Sequence, residues 1–133
     1  MLKENQVPKL ITIDFETYYD KDYGLKKYTT EEYIRSDLFE TIGVAVKADG
    51  VTKWFSGTHK EIKAFLDSYE MDKHFVLGHN NRFDAAILSW IYDIHPLGLF
   101  DTMSMGQILH GLTESVSLAN LSKLYGIGEK GTE

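Results

Sequence analysis

The hydrophobic positions near the start of the chain alternate with polar ones and predict a buried β-strand over residues 9–17. In the stretch KLITIDFETYY, successive side chains point to opposite faces of such a strand. Ile11 and Ile13 therefore share one face, and Asp14 and Glu16 share the other. Packing against a core explains the apolar face. It does not explain why the strand ends in two carboxylates on the same side.

The rest of the chain alternates β-rich runs with amphipathic segments. After the first strand, the pattern predicts a short helix at 30–36, two strands in FETIGVAVKADGVTKWFSG, a helix that begins after Thr58 and reaches about Tyr69, a strand in HFVLGHN, a helix in RFDAAILSWIY, a strand in PLGLFDT, and two helices in MSMGQILHG and LANLSKLYG. Strands joined first by a hairpin and then by helices are typical of a mixed sheet with helices on its faces. The predicted fold class is therefore α/β.

Short sequence signals support three of these elements. Thr29 with Glu32, and a second threonine with a glutamate at the same spacing in THKE, match the capping box that begins a helix. Asp49 and Gly50 lie between two β-rich runs, which is a strong hairpin signal.

The length and composition limit the number of domains. The chain has 133 residues, of which 43% are hydrophobic and 13% aromatic. This is enough for one domain with a sizeable core and too little for two. We expect a single domain over 1–133.

The net charge disfavours a protein that binds nucleic acid by bulk electrostatics. Lys and Arg number 14 against 20 Asp and Glu, which gives a formal charge of −6. Phosphate binding depends on Lys and Arg. The objection weakens if carboxylates hold cations, because two divalent ions would bring the total to about −2.

The chain has no features of a secreted or membrane protein. It contains no cysteine, begins with the polar run MLKENQVPKL, and has no apolar stretch long enough to cross a bilayer. We therefore expect a soluble protein of the cytoplasm that does not bind membranes.

The two carboxylates that end the first strand allow two interpretations. An acid–aromatic–acid pattern at a strand end often marks only a strand that frays into solvent. In a central strand, however, Asp14 and Glu16 would lie close together in a partly dry site. Their charges would repel unless one is protonated or a cation binds between them.

A second polar cluster lies in GHNNRFDAAILSW, where a strand passes into a helix. Asn80 and Asp84 are four residues apart and share one side of the helix start. Asn80 or Asn81 could cap this helix, and Asp84 could interact favourably with its dipole. That interpretation explains Asp84 only in part, because its neighbours are almost all apolar.

Together, the two clusters indicate a metal site. Strand ends and helix starts converge on one crevice of an α/β sheet. Three carboxylates without thiols suit Mg²⁺ or Mn²⁺. Such sites hold two ions about 4 Å apart and hydrolyse phosphodiesters. Asp14, Glu16 and Asp84 are the candidate ligands.

The motifs DFET and GHNNRFD, in this order, resemble the first two motifs of the DEDD superfamily of 3′–5′ exonucleases. DFETYYDKDYGLKKYTTEEYIR, GHNNRFDAAILSW and LFDTMSM are together similar to the proofreading domain of phage-encoded DNA polymerases of the type-I class (family A). The likeness extends from about Lys9 to the end of the chain. It implies a ribonuclease H-like fold and an exodeoxyribonuclease that acts on the 3′ end of single-stranded DNA.

The resemblance also implies roles for individual residues. Asp14, Glu16 and Asp84 would be catalytic and would bind two Mg²⁺ or Mn²⁺ ions. The residues implied in substrate binding are Phe15, Thr17, His79, Asn80, Asn81 and Phe83. A DNA polymerase domain would be a partner, and the protein would belong to a phage or prophage in a bacterial cytoplasm.

The sequence departs from this family after the second motif. Such exonucleases have a third motif, with a fourth Asp preceded by a Tyr or His, whereas this chain ends in YGIGEKGTE. We therefore expect an exonuclease domain that lacks its C-terminal helices, with weak or no activity and with self-association through the uncovered face.

Two other functions remain open. Without the third motif, the domain could be a non-catalytic module that binds nucleic acid or protein, and a related hydrolase of the same fold could act on RNA. The tyrosines and lysines between Tyr18 and Tyr33 could stack on and steer bases, or form an ordinary loop packed on the sheet.

Overall fold

The chain folds in the order that its hydrophobic pattern predicts. The computed structural model describes residues 7–111 and 114–128, so parts of the expected domain 1–133 lie outside the described residues. The strands are β1 (Leu10–Thr17), β2 (Thr41–Ala48), β3 (Val51–Phe55), β4 (Phe75–Gly78) and β5 (Gly98–Asp101). The helices are α1 (Thr30–Arg35), α2 (His59–Asp67), α3 (Asn81–Tyr92), α4 (Thr102–His110) and α5 (Leu118–Leu124). A 3₁₀ turn, Met71–Lys73, precedes β4 and was not predicted.

Both predicted capping boxes are present. At α1, the Thr29 hydroxyl accepts from the Glu32 N–H at 3.2 Å, and the Glu32 carboxylate accepts from the Thr29 N–H at 3.0 Å. Thr58 and Glu61 make the same two bonds at the start of α2. Each box satisfies two backbone N–H groups that have no partner inside the helix, and so fixes where the helix begins.

The strands form a mixed sheet in the order β3-β2-β1-β4-β5. Strand β1 is antiparallel to β2 and parallel to β4, which is in turn parallel to β5. Asp49 and Gly50 join β2 to β3 with φ angles of 53° and 77°. Two consecutive positive φ angles are characteristic of the tight hairpin turn predicted at this pair.

The core lies on one face of the sheet. Phe15 of β1 stacks on Tyr92 of α3 with ring centroids 5.9 Å apart, and Phe55 of β3 stacks on Phe65 of α2 at 4.7 Å. Because Phe15 and Phe55 both pair with Val44, the two helices cover the same face. Tyr33 and Ile34 of α1 join this core, together with Ile11, Ile13, Val46, Val76, Ile87 and Leu88.

The opposite face is less covered. Leu10, Trp54 and Phe100 lie on it and are 51%, 54% and 43% exposed. Asp14 and Glu16 point to this side of β1, since their neighbours Ile13 and Phe15 point into the core.

None of the helices in the described part of the chain has the length and apolar character needed to cross a lipid bilayer.

Candidate functional site

The carboxyl end of β1 carries the first two acidic side chains. Asp14 is exposed and Glu16 is half-buried. The residues opposite them on β2 are Ala45 and Gly43. The register of β1 against β2 shifts directly after Glu16. Such irregularities bend a strand and change the direction of its side chains, and they are common beside active sites.

The third carboxylate, Asp84, lies in the first turn of α3 and is only 4% exposed. Its Oδ1 accepts a hydrogen bond from the N–H of Phe15 at 3.1 Å. Phe15 stands between Asp14 and Glu16, so this bond ties the helix carboxylate to the strand that carries the other two. The structure therefore brings together the three acids that the sequence predicted as metal ligands.

The surroundings of Asp84 make its charge unfavourable. Burial first, and then the negative charges of Asp14, Glu16 and Asp101, raise its pKa from 3.8 to about 7, although the hydrogen bond from the Phe15 N–H acts to lower it. A cation among these carboxylates would reverse this balance, because an opposite charge stabilises the ionised form. At neutral pH the site therefore favours either a proton or a cation.

Asp101, at the end of β5, holds the turn between β4 and α3. Its Oδ1 accepts from the N–H of Asn80 at 2.8 Å and from the N–H of Met103 at 2.9 Å. Burial acts to raise the pKa of Asp101, but bonds from the N–H groups of Met103, Asn81 and Asn80 bring it below its ordinary value. Asp101 thus begins α4 and fixes the residue before α3.

The side-chain capping bond that was expected from an asparagine at the start of α3 is absent at Asn80. Asn80 is the N-cap residue, but its φ is 58° and its side chain makes no capping bond. In the left-handed conformation its side chain does not reach the first turn of the helix, and its N–H bonds to Asp101 instead.

Asn81 differs from the sequence-based expectation that it contacts substrate. It is 2% exposed, and its Nδ2 donates to the carbonyls of Val76 and Phe100 at 3.2 and 3.1 Å. A Cβ added at Gly78 would lie 2.7 Å from Asn81 Oδ1. Asn81 therefore joins β4 to β5 beneath the site, and residue 78 must be small to admit it.

A cavity of about 800 Å³ opens beside the acids. One part of its lining consists of Asp14, Glu16 and Asp84, with the expected substrate contacts Phe15, Thr17, His79, Asn80 and Phe83. The rest comes from residues 19–21 and 24–27 and from Tyr33. A volume of this size is sufficient for a small organic ligand.

Two polar side chains at the cavity are already oriented by neighbours. The Nδ1 of His79 lies 2.9 Å from the Thr102 hydroxyl, and the Thr17 hydroxyl lies 2.8 Å from the Tyr33 hydroxyl. These bonds restrict the rotamers of His79 and Thr17 where both side chains line the cavity.

The donor set fits a hard divalent cation by type and by place. Three carboxylates supply the oxygen ligands that Mg²⁺ and Mn²⁺ prefer, and all three border one cavity. Within residues 7–111 and 114–128, no three acidic or histidine side chains already stand as a closed ligand set. Cation binding would therefore require the acidic side chains to adjust their positions.

Sequence reasoning missed the roles of Asp101 and Asn81. Asp101 precedes Thr102 and Ser104 at a helix start, which is an N-cap signal. Gly78, three residues before Asn81, indicated a close approach of another group to the backbone. Neither signal specifies the distant partner, because Asp101 bonds to Asn80 and Asn81 bonds to Phe100 across about twenty residues of sequence.

Comparisons with known proteins identify a family and a fold for this chain. The model of the 3′–5′ exonuclease family matches residues 9–126. No curated protein sequence matches the chain. Several solved structures share its fold at low sequence identity.

Three of these structures illustrate the range. NrnC of Brucella melitensis has a TM-score of 0.68 at 16% identity, over 98% of this chain and 58% of that one. RNase D of Trypanosoma brucei, in complex with RNA U12, has a TM-score of 0.66 at 17% identity, over 92% of this chain and 41% of that one. The family B DNA polymerase of Pyrobaculum calidifontis has a TM-score of 0.59 at 13% identity, over 93% and 19%. The chain thus spans little more than half of NrnC, and these likenesses establish a ribonuclease H-like fold.

Proposed function

The chain belongs to the 3′–5′ exonuclease family, and from this premise we propose that it removes nucleotides from the 3′ end of single-stranded DNA with the aid of two divalent cations. The observation that carries the proposal is the position of Asp84. It is buried, it is bonded to the backbone between Asp14 and Glu16, and it borders the same cavity as both. Three carboxylates brought together in this way are unfavourable without a cation.

In this proposal the three acids bind the cations from different surroundings. Asp84 is fixed by its bond to the Phe15 N–H and is buried, whereas Asp14 is exposed at the mouth of the same cavity. When bound, divalent cations activate water and stabilise the leaving oxygen of a phosphodiester. A solved structure of Brucella melitensis NrnC with bound Mg²⁺ supports the choice of metal.

The remaining side chains of the cavity would orient the terminal nucleotide. Thr17 and His79 are held by Tyr33 and Thr102, so each presents a polar atom in a restricted position. Asn80 and Phe83 border the cavity from the α3 side. Asn81 supports them from below and would not touch substrate.

DNA is proposed as the substrate because of the sequence resemblance to polymerase proofreading domains. The same resemblance supports a polymerase domain as partner, a phage or prophage origin and a cytoplasmic location. RNA is the second candidate. One similar structure is NrnC bound to pGG, and another is RNase D in complex with RNA U12.

The direct test is digestion of 5′-labelled single-stranded DNA, beside an RNA of the same sequence, with Mn²⁺. We expect slow shortening from the 3′ end, faster on DNA. Asp14→Asn, Glu16→Gln and Asp84→Asn should each lower the rate by about 100-fold or more, since each removes a charge that acts on the transition state.

Asp37→Asn is the matched control, because Asp37 is exposed and outside the cavity. Equal rates in wild type and the three site variants would refute the assignment. Faster digestion of RNA would transfer the proposal to the second substrate. If the chain binds both oligonucleotides and shortens neither, it is a non-catalytic binding module.

A further inference from the structure

The cavity has a second wall, formed by the segment between β1 and α1. We call residues 18–28 the tyrosine–lysine loop. Tyr19, Lys21, Leu25 and Lys26 of this loop line the cavity that also holds the three carboxylates. The metal-binding role of the acids does not account for these residues.

The tyrosine–lysine loop is anchored to the core by Tyr23 and closed internally by Asp20. Tyr23 is 1% exposed and stacks on Tyr33 with ring centroids 4.6 Å apart and planes 16° from parallel. The Tyr23 hydroxyl also donates to the backbone carbonyl of Tyr33. Asp20 Oδ1 accepts from the N–H groups of Asp22 and Tyr23, each at 2.8 Å. The loop therefore has a fixed conformation, and its outward side chains have fixed starting positions.

The two aspartates of the loop are engaged within it. Asp22 pairs with Lys27 at 3.4 Å, and Asp20 closes the turn. Lys21 and Lys26 form no ion pair with any residue in the described ranges, and both are exposed. In an acidic chain, these two ammonium groups supply positive charge to the lining of the cavity that the carboxylates also border.

Tyr19 adds an aromatic surface to the same wall. Its side chain is 75% exposed, although tyrosine in this loop can be buried, as Tyr23 shows. An exposed ring beside exposed lysines is the combination by which proteins hold single-stranded nucleic acid, because every base has a face for stacking and every nucleotide a phosphate.

We propose that Tyr19, Lys21 and Lys26 form a second subsite, which holds single-stranded nucleic acid upstream of the scissile bond without reading its sequence. Tyr19 stacks on a base, and the two lysines contact phosphates. The proposal rests on the function proposed above only in placing the 3′ end at the acids. Because this wall is separate from the metal ligands, it contributes to affinity when no cation is bound.

The test is fluorescence anisotropy of a labelled oligothymidylate in EDTA, over a series of salt concentrations. Every variant is made in an Asp84→Asn background, in which one negative charge is removed and hydrolysis is not expected. Lys21→Ala with Lys26→Ala should flatten the slope of log K against log salt by about 1.4, at about 0.7 for each phosphate contact on a single strand.

Tyr19→Ala should weaken binding about 5- to 100-fold, whereas Tyr19→Phe should bind as the parent does, because stacking needs the ring and not the hydroxyl. Lys53→Ala with Lys60→Ala is the control for the lysine pair, since both residues are exposed and lie outside the cavity. All these positions are on the surface, so the variants should fold. If the loop variants bind with the affinity and salt slope of the control, the subsite is refuted.

A second measurement separates this subsite from the proposed function. In chains with all three acids and Mn²⁺, the loop variants should raise KM and leave kcat unchanged. If the wild type digests the oligonucleotide and the loop variants do so with the same KM, the subsite is refuted and the exonuclease activity is not. Absence of digestion would refute the exonuclease, and the anisotropy result would still decide the subsite.

Discussion

Replacing Asp84 with asparagine should stabilise the chain in EDTA at pH 8, although it removes a proposed metal ligand. Asparagine has the shape of aspartate and can still accept the hydrogen bond from the Phe15 N–H, which Asp84 accepts at 3.1 Å. The substitution therefore removes the buried charge and keeps the bond.

The magnitude follows from the pKa of Asp84. Burial and the neighbouring acids raise this pKa from 3.8 to about 7 in the folded chain. Each unit of difference between the pKa values of the folded and unfolded chain corresponds to about 1.36 kcal/mol. Ionised Asp84 therefore lowers the free energy of unfolding by about 4 kcal/mol relative to protonated Asp84. Because the site can relax, we expect Asp84→Asn to gain about 2–4 kcal/mol at pH 8.

The sign of the pH dependence is opposite to that of most carboxylates. Between pH 3.8 and about 7 the folded chain holds a proton on Asp84 that the unfolded chain has released. Stability therefore falls as the pH rises through this window. From pH 5 to pH 8 the wild type should lose about 2–3 kcal/mol through Asp84, and Asp84→Asn should not.

Urea unfolding in EDTA at several pH values measures this directly. The control is Asp37→Asn, whose effect should stay within about 0.5 kcal/mol. The reasoning is refuted if Asp84→Asn is no more stable than wild type at pH 8. Mn²⁺ at about 100 times its Kd should restore about 2.7 kcal/mol to the wild type and much less to the variant.

Two further predictions concern the supports of the site. Gly78→Ala should lower the free energy of unfolding in urea by about 1–3 kcal/mol, because its Cβ would lie 2.7 Å from Asn81 Oδ1. Gly24→Ala is the control and should be nearly neutral, because a Cβ there meets nothing closer than 3.7 Å. Asp101→Ala should lower the free energy of unfolding by about 1–3 kcal/mol, because the N–H groups of Asn80 and Met103 lose their acceptor. Faster amide hydrogen exchange at residue 80 would show this loss. Unchanged exchange there would show that Asp101 does not hold the turn.

Elements whose signals are local could be predicted from the sequence. Both capping boxes form at the threonines predicted, because the bonds join residues three apart. The Asp49-Gly50 turn forms for the same reason, since two residues supply both positive φ angles. Hydrophobic alternation identified β1 and placed Asp14 and Glu16 on one face.

The features that convert three acids into a site could not be predicted. The bond from Phe15 to Asp84 joins residues 69 positions apart, and its existence depends on how α3 packs against β1. Nothing in GHNNRFD reveals that Asn81 turns inward while Asn80 stays at the cavity, because the left-handed φ of Asn80 decides it.

The tyrosines show the same limit. Spacing in YYDKDYGLKKY does not distinguish Tyr23, which is buried on Tyr33, from Tyr19, which is 75% exposed. The turn that Asp20 closes in the folded chain determines which tyrosine points into the core and which points outward. The loop is thus both structural and exposed at the cavity, and the two interpretations of its composition apply to different residues.

The most direct test of the metal site is a titration with Mn²⁺ followed by the electron paramagnetic resonance signal of the free ion at pH 7.5. Wild type should remove Mn²⁺ from solution, and Asp14→Asn, Glu16→Gln and Asp84→Asn should each weaken that binding by about tenfold or more, while Asp37→Asn leaves it unchanged. If the three site variants bind Mn²⁺ as tightly as the wild type, Asp14, Glu16 and Asp84 do not act together on a divalent cation.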